Sequence, residues 1–379
     1  MVVVNTRIPG HRAAALQTVR TARALGSDGS RVTILSPFRW PDARVHRERA
    51  IDPSPSRVVR VPCADGIDWF PQGIRALPAR LQETTFGLLS GLVAAWCRGH
   101  TILCREIEAG ALLAWTAHPD WIMEVHRIPR GRLRRMLLRA ACGGAHAVVA
   151  ISEGLVADLG AMGIGDVTVV PDAFDADGFD ALPDRAAARR SVGPEDGRPL
   201  VVYAGHLFDW KGADVLAEAS AILGQQAHVR ILGGLAEDVE RLRSQARLQG
   251  WPCEIAGHVD PRSIPMHLRA ADIAVLPNMP GPRISTHHTS PLKAFEYVAA
   301  GVPVVASDLP ALREVLGEDG ALFVTPGHAG ALAHGIQAAL ADRSAAAVRA
   351  EAAAKRCCGK TYDARARALA ACARGRFAA

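Results

Sequence analysis

Short runs of valine, isoleucine and leucine alternate along the chain with longer Ala- and Leu-rich stretches whose apolar positions recur at helical spacing. Strand, helix and strand in repeated succession is the pattern of a parallel sheet with helices on both faces, so the predicted fold class is α/β. In the first half the strands fall at Val2–Asn5, Arg31–Leu35, Arg57–Val61, Thr101–Arg105, Trp121–Val125, Ala147–Ile151 and Val167–Val170, with helices between most of them. The stretch Pro171–Pro199 gathers Asp, Pro and Gly around a short helical patch and marks a hand-over between domains near Asp172. The second half restarts the theme with strand Leu200–Ala204, helix Ala213–Leu223, strand Val229–Leu232 and helix Glu237–Gln249. Strands follow at Cys253–Ala256, Ile273–Leu276, Val304–Ala306 and Ala321–Val324. A length of 379 residues suits two domains, each with its own core. Two Rossmann-like halves in series predict an active site in a cleft between them, because ligands of open α/β sheets sit outside the carboxyl ends of the strands.

Composition narrows the class. Hydrophobic residues at 49% and charged residues at 22% give a soluble globular balance. The longest apolar stretch, Phe86–Cys97, is broken by Gly87, Ser90 and Gly91 and is shorter than the roughly 20 residues a bilayer crossing needs. No span is expected. Met1 runs straight into Val2, Val3 and Val4, without the basic region and cleavage site of a secretory signal, so a cytoplasmic location is expected. Eight scattered cysteines form no C-x-x-C pair, and no histidines lie at zinc-finger spacing, which predicts free thiols.

The net charge of +6 is modest but unevenly placed. Arg127, Arg130, Arg132, Arg134, Arg135 and Arg139 crowd one segment that contains no acid, with Leu133, Met136, Leu137 and Leu138 among them on a short helix. Arg130, Arg132, Arg134 and Arg135 are candidate contacts to an anionic membrane surface or to the acceptor. The plain alternative is a solvated basic face over an ordinary core stripe. No aromatic platform accompanies the arginines, which argues against nucleic acid as a partner.

Two segments carry candidate chemistry. Gly205-His206-Leu207-Phe208-Asp209-Trp210-Lys211-Gly212 follows a buried strand and precedes a helix, where a glycine admits an anion close to the backbone and Lys211 can neutralise a departing diphosphate. Thr289-Ser290-Pro291-Leu292-Lys293-Ala294-Phe295-Glu296-Tyr297 runs into a Gly301-Val302-Pro303 turn. Serine as cap and proline in the first turn start a helix whose free N–H groups can receive phosphate oxygens. Glu296 stands one to two turns further in, within reach of paired ribose hydroxyls.

These segments, in this order, closely resemble the family-four group of retaining glycosyltransferases with the GT-B fold. There the first segment reads G-R-L-x-x-x-K-G, and the second carries two glutamates eight residues apart before an A-x-G-x-P-V-V turn. The resemblance implies that the Gly205 loop and Lys211 contact the donor diphosphate, that Glu296 binds the donor ribose, and that amides around Ser290, Pro291 and Leu292 hold phosphate. His206 stands where the family has arginine, implying a weaker phosphate donor. His288 stands where the family has its first glutamate, which faces the transferred sugar, implying either a different donor hydroxyl pattern or lost activity; a subset of the family with similar S-P-L-K-x-F-E-Y wording also lacks that glutamate. In the first half, Gly10 in Ile8-Pro9-Gly10-His11 resembles the family's glycine loop beside the donor phosphates. His126, at the end of Glu124-Val125-His126, resembles a histidine near the reacting sugar, and Ser152-Glu153 resembles a local capping turn. The segment from about 360 to 379 is similar to the family's last helix, which packs back on the first domain. The implied domains are 1–172, binding the acceptor, and 173–359, binding the donor.

The expected function is retaining sugar transfer from a nucleotide-diphosphate sugar to a glycan or glycolipid acceptor, with Lys211, His206 and helix amides meeting the leaving charge and His126 positioning the reactants. No cofactor or metal is expected. Asp175-Ala176-Asp177, the one Asp-x-Asp, reads as linker rather than as a metal site. The alternatives are a nucleotide-sugar epimerase of the same fold and a non-catalytic nucleotide-sugar-binding protein.

Overall fold

A computed structural model describes residues 1–8, 13–27, 29–38, 55–70, 74–174, 177–194, 196–281, 283–287 and 292–375. The chain forms two compact units, Met1–Asp172 with Tyr362–Ala379, and Ala173–Thr361.

The first unit is a seven-stranded parallel sheet: β1 (Val2–Val3), β2 (Thr33–Pro37), β3 (Arg57–Val61), β4 (Ile102–Cys104), β5 (Trp121–Val125), β6 (Ala147–Ala150) and β7 (Val167–Val169), in the order β3-β2-β1-β4-β5-β6-β7. Alternate residues of each strand face opposite sides, so each side of the sheet has its own core. On one side Val3, Cys104, Trp121 and Met123 meet Phe86, Leu113 and Leu138 from α2 (Ala76–Trp96), α3 (Ile107–Trp115) and α4 (Arg132–Gly144). On the other, Val2, Ile34, Ile122 and Val149 meet Ala15 and Val19 of α1 (Ala13–Leu25), and also Leu369 and Cys372 of the last helix, Tyr362–Ala373. The end of the sequence thus completes the core begun by its start. Ser152 caps α5 (Glu153–Ala161), its side chain accepting the Leu155 N–H at 3.3 Å.

The second unit is a six-stranded parallel sheet: β8 (Leu200–Ala204), β9 (His228–Leu232), β10 (Cys253–Gly257), β11 (Ile273–Leu276), β12 (Val304–Ser307) and β13 (Leu322–Val324), in the order β10-β9-β8-β11-β12-β13. Its central strands read as continuous apolar runs because helices cover both faces. In both sheets the strand order reverses beside the first strand of the unit: β1 lies between β2 and β4, and β8 between β9 and β11. Such a reversal leaves a crevice at the carboxyl ends, since the loops on its two sides run away from each other.

Every predicted strand exists, with ends shifted by a few residues. Val2–Asn5 shortens to Val2–Val3 because the Thr6 N–H turns back to the Val4 carbonyl at 3.0 Å.

Candidate functional site

At the reversal in the second unit, the loops after β8 and β11 are stitched together. The Met279 N–H donates to the Trp210 carbonyl at 2.9 Å, and the Ser285 hydroxyl donates to the Met279 carbonyl at 2.7 Å. Gly212, at φ 68°, packs so tightly on the Pro277 carbonyl that any Cβ would overlap it; the glycine ends the loop and opens helix Ala213–Leu223. Between Gly205 and Gly212 the side chains sort by face. Leu207 is buried, while His206 stacks on Phe208 with centroids 5.0 Å apart and Phe208 on Trp210 at 6.4 Å. Lys211 ends this column, its Nζ 4.0 Å from the Trp210 ring centroid. Burial pushes the Lys211 ammonium down to about 8, since a cation stripped of water favours its neutral form.

The helix Leu292–Ala299 is tied to the end of β8 by Tyr297, whose hydroxyl accepts the Ala204 N–H at 2.9 Å. This anchor fixes Leu292 at the helix start, half-buried, and Glu296 one turn on, also half-buried. It also brings in Lys293, whose Nζ donates to the Tyr203 hydroxyl at 2.6 Å. Burial, then repulsion from Lys211, hold the Lys293 ammonium well below its usual range against the attraction of Glu296. Lys211, Lys293 and Glu296 therefore share one electrostatic neighbourhood at the carboxyl end of β8.

In the first unit, His126 follows β5 and its Nε2 meets Glu124 Oε1 at 2.9 Å. Glu124 is fully buried; burial alone would raise its carboxyl, but Arg105, Arg365 and His126 hold it well below the usual carboxylate range. Arg105 Nε donates to Glu124 Oε2 at 2.8 Å, and Arg365, from the last helix, donates to Glu124 Oε1 and to the Val170 and Pro171 carbonyls. Against an ionised Glu124, which only accepts, His126 Nε2 carries the N–H and donates. At the β1/β4 reversal, Glu106 Oε1 accepts the Asn5 N–H at 2.8 Å. Burial, then Glu108 and Glu83, push the Glu106 carboxyl up to about 7 despite the Asn5 amide and Arg127.

Of the predicted site, Gly205, His206, Lys211, Leu292 and Glu296 belong to the second unit and His126 to the first. Gly10, His288, Ser290 and Pro291 lie outside the described residues, as do Asp175 and Ala176. The His206 ring lies in the aromatic column, which sets its orientation. The arginine segment divides. Arg130, Arg132 and Arg135 are exposed, whereas Arg134 turns inward and pairs with Glu83 of α2 at 3.1 Å and Glu108 of α3 at 2.9 Å. A guanidinium so placed ties three helices together rather than reaching for a surface. Among the described residues no group of three or more His, Cys, Asp or Glu could hold a metal ion, and no helix is long and apolar enough to cross a membrane.

Sequence reasoning missed Lys293, Glu124, Arg105, Arg365 and Glu106. Lys293 and Glu124 stood inside the motifs already singled out. Arg365 carried no local signal, because its partners are about two hundred residues away along the chain, Val170 being 195 positions distant.

Residues 198–342 match the model of glycosyl transferases group 1, and residues 14–177 match that of glycosyltransferase family 4. D-inositol 3-phosphate glycosyltransferase of Xylanimonas cellulosilytica is 31% identical over 206 residues, 49% of this chain and 48% of that protein. Phosphatidyl-myo-inositol mannosyltransferase of Mycobacterium tuberculosis is 33% identical over 181 residues, 46% of this chain and 45% of its own length. The chain thus spans about half the length of these curated relatives. Sucrose-phosphate synthase from Thermosynechococcus elongatus has the same fold with a TM-score of 0.78 at 21% identity, over 99% of this chain and 98% of that one. Anabaena HepE, solved with UDP and glucose, superposes with a TM-score of 0.72 at 17% identity over 97% of each chain.

Proposed function

Because the chain belongs to the group 1, family 4 glycosyltransferases, we propose that it moves a sugar from a nucleotide-diphosphate donor to an acceptor hydroxyl, with retention and without a metal. The observation that carries this reading is the trio Lys211, Lys293 and Glu296 at the carboxyl end of β8, where the strand order reverses. As the anomeric C–O bond breaks, negative charge grows on the diphosphate, and fixed ammonium groups stabilise that charge in the way a divalent cation does elsewhere. Glu296 receives the ribose hydroxyls as a two-pronged acceptor. His126, held by Glu124 through Nε2, orients the acceptor or the transferred sugar.

The decisive test is donor turnover. Purified protein is incubated with UDP-, GDP- and dTDP-sugars in EDTA, and thermal shift and slow hydrolysis are followed. One donor is expected to raise Tm and to be hydrolysed, and Lys211→Ala and Glu296→Ala to lose both effects. Binding without turnover turns the reading to a nucleotide-sugar-binding protein, and loss in EDTA removes metal independence.

The same reading extends to a lipid-linked acceptor at the inner face of the cell membrane. Two of the matched relatives are named for inositol phosphate and phosphatidylinositol chemistry. In this chain the support is α2, which is packed inside out. Its buried face is Gln82, Phe86, Gly87, Ser90, Gly91, Ala94 and Ala95, while Leu77, Leu81, Leu88, Leu89, Leu92, Val93 and Trp96 are exposed. Leu133 and Met136 of the neighbouring α4 are exposed too, beside Arg130, Arg132 and Arg135. An apolar stripe flanked by cations suits an anionic bilayer, where each arginine adds about 1 kcal/mol. The protein is expected to float with phosphatidylglycerol vesicles and not with phosphatidylcholine vesicles. The pair Leu88→Glu and Leu92→Glu should abolish flotation, and 0.5 M salt, roughly, should weaken it. Dimerisation in place of lipid binding would assign the stripe to a second copy.

A further inference from the structure

Lys293 is half-buried against the glycine that opens the loop after β8. Its side chain fills the space above Gly205, so that a Cβ at residue 205 would fall among the Lys293 Cε and Nζ atoms. Nζ lies 3.8 Å from the Tyr203 ring centroid and bonds the Tyr203 hydroxyl, which itself donates to the His206 carbonyl at 2.6 Å. The charged groups that face it are Lys211, across the loop, and Glu296, on its own helix. The Tyr297 hydroxyl is occupied by the end of β8, and Asp214 acts on Tyr203 rather than on Lys293. Lys293 thus lies within electrostatic reach of one ammonium group and one carboxylate, and a neutral phenol is its direct partner. Buried charge is retained in proteins when something pairs it.

We infer that Lys293 is a second ligand of the donor's diphosphate, acting with Lys211 so that two ammonium groups meet the two phosphates. The inference rests on the donor-site reading above and adds a residue that its motif did not assign. A diphosphate brings to Lys293 the anionic charge that the neutral phenol lacks. A monophosphate supplies one phosphate for two cations, so the pair should also distinguish the two classes of nucleotide. In the free protein both ammonium groups are held toward neutrality; an anion between them restores their protons, and binding takes protons up from solvent.

The test is calorimetric titration of UDP, GDP, UMP and GMP at about pH 8.5, close to the Lys211 value, in Tris and in bicine, whose ionisation heats differ and so report proton uptake. Wild type is expected to prefer a nucleoside diphosphate over its monophosphate and to take up protons on binding. Lys293→Met should weaken the diphosphate roughly 10- to 100-fold, narrow the preference over the monophosphate and reduce proton uptake. Its ligand-free Tm should hold or rise, because the cost of taking an amine out of water is gone. Lys293→Gln serves as the second variant. Unchanged affinity and proton uptake in either well-folded variant, or a lowered Tm in both, overturns the proposal and leaves Lys293 as packing on Tyr203. The two readings separate cleanly: a wild type that binds no nucleotide defeats the donor site itself, whereas binding lost in Lys211→Ala but kept in Lys293→Met defeats only this inference.

Discussion

Glu124 does more for the first unit than its place two residues before a histidine suggests. It is the common anion of Arg105, Arg365 and His126, of which only the histidine is near it in sequence. Glu124→Gln leaves two guanidiniums without their charge partner, and urea unfolding should show a loss of about 3 kcal/mol. The Glu124 pKa lies below its unfolded value, so its contribution is complete above about pH 4.5 and fades as pH falls through the folded value. Glu106 has the opposite sign. Its folded value of about 7 exceeds the unfolded 4.5, so the native state binds the extra proton between these values and stability declines as pH rises from 4.5 to 7. Glu106→Gln keeps an acceptor for the Asn5 N–H, and it should remove that decline, raising stability at pH 8 on the order of 2 kcal/mol. The pH dependence of the urea midpoint checks both. The motifs exposed His126 and Lys211 in the sequence, but the pairs that orient or burden them depend on residues from other strands and helices.

At the scale of elements, the strands were legible because buried parallel strands are short, continuous and apolar, and glycines or prolines bound them. α2 was not. Its 21 residues showed only as an interrupted apolar stretch, since the usual cue, large apolar residues on the buried face, is inverted. Gly87 and Gly91 let the helix approach α3 so closely that a Cβ at 91 would stand 2.9 Å from the Ala109 Cα, a backbone atom that cannot swing aside. Gly91→Val should destabilise by about 1–3 kcal/mol through overpacking. Leu92→Glu on the opposite face should leave the thermal midpoint within about 2 °C, because it touches no core. A pair of melting curves separates the two faces of one helix.

For the whole molecule, the two units differ in how they close. All of Lys211, Lys293, Glu296 and Tyr297 lie within Ala173–Thr361, a unit with cores on both sides of its sheet. Expressed alone, residues 173–361 are expected to unfold cooperatively and to bind the donor's nucleoside diphosphate. Residues 1–172 alone lack Arg365, Leu369 and Cys372, and hence one of the two guanidiniums paired with Glu124 and part of one core. They should show no cooperative transition until the helix Tyr362–Ala373 is supplied as a peptide or fused. Circular dichroism on the two fragments decides this.

The sequence by itself determined the α/β class, the strand positions, the restart near residue 200 and the two donor segments. Each of these rests on local patterns: period, punctuation by glycine and proline, and residues adjacent along the chain. Only the tertiary structure decided that Lys293 joins Lys211, that Arg134 faces inward while Arg130, Arg132 and Arg135 face out, and that Arg365 closes on Glu124. These facts depend on which side chains the crossovers bring together. The energy of a buried charge is set by what surrounds it in space, and most of its neighbours come from distant parts of the chain.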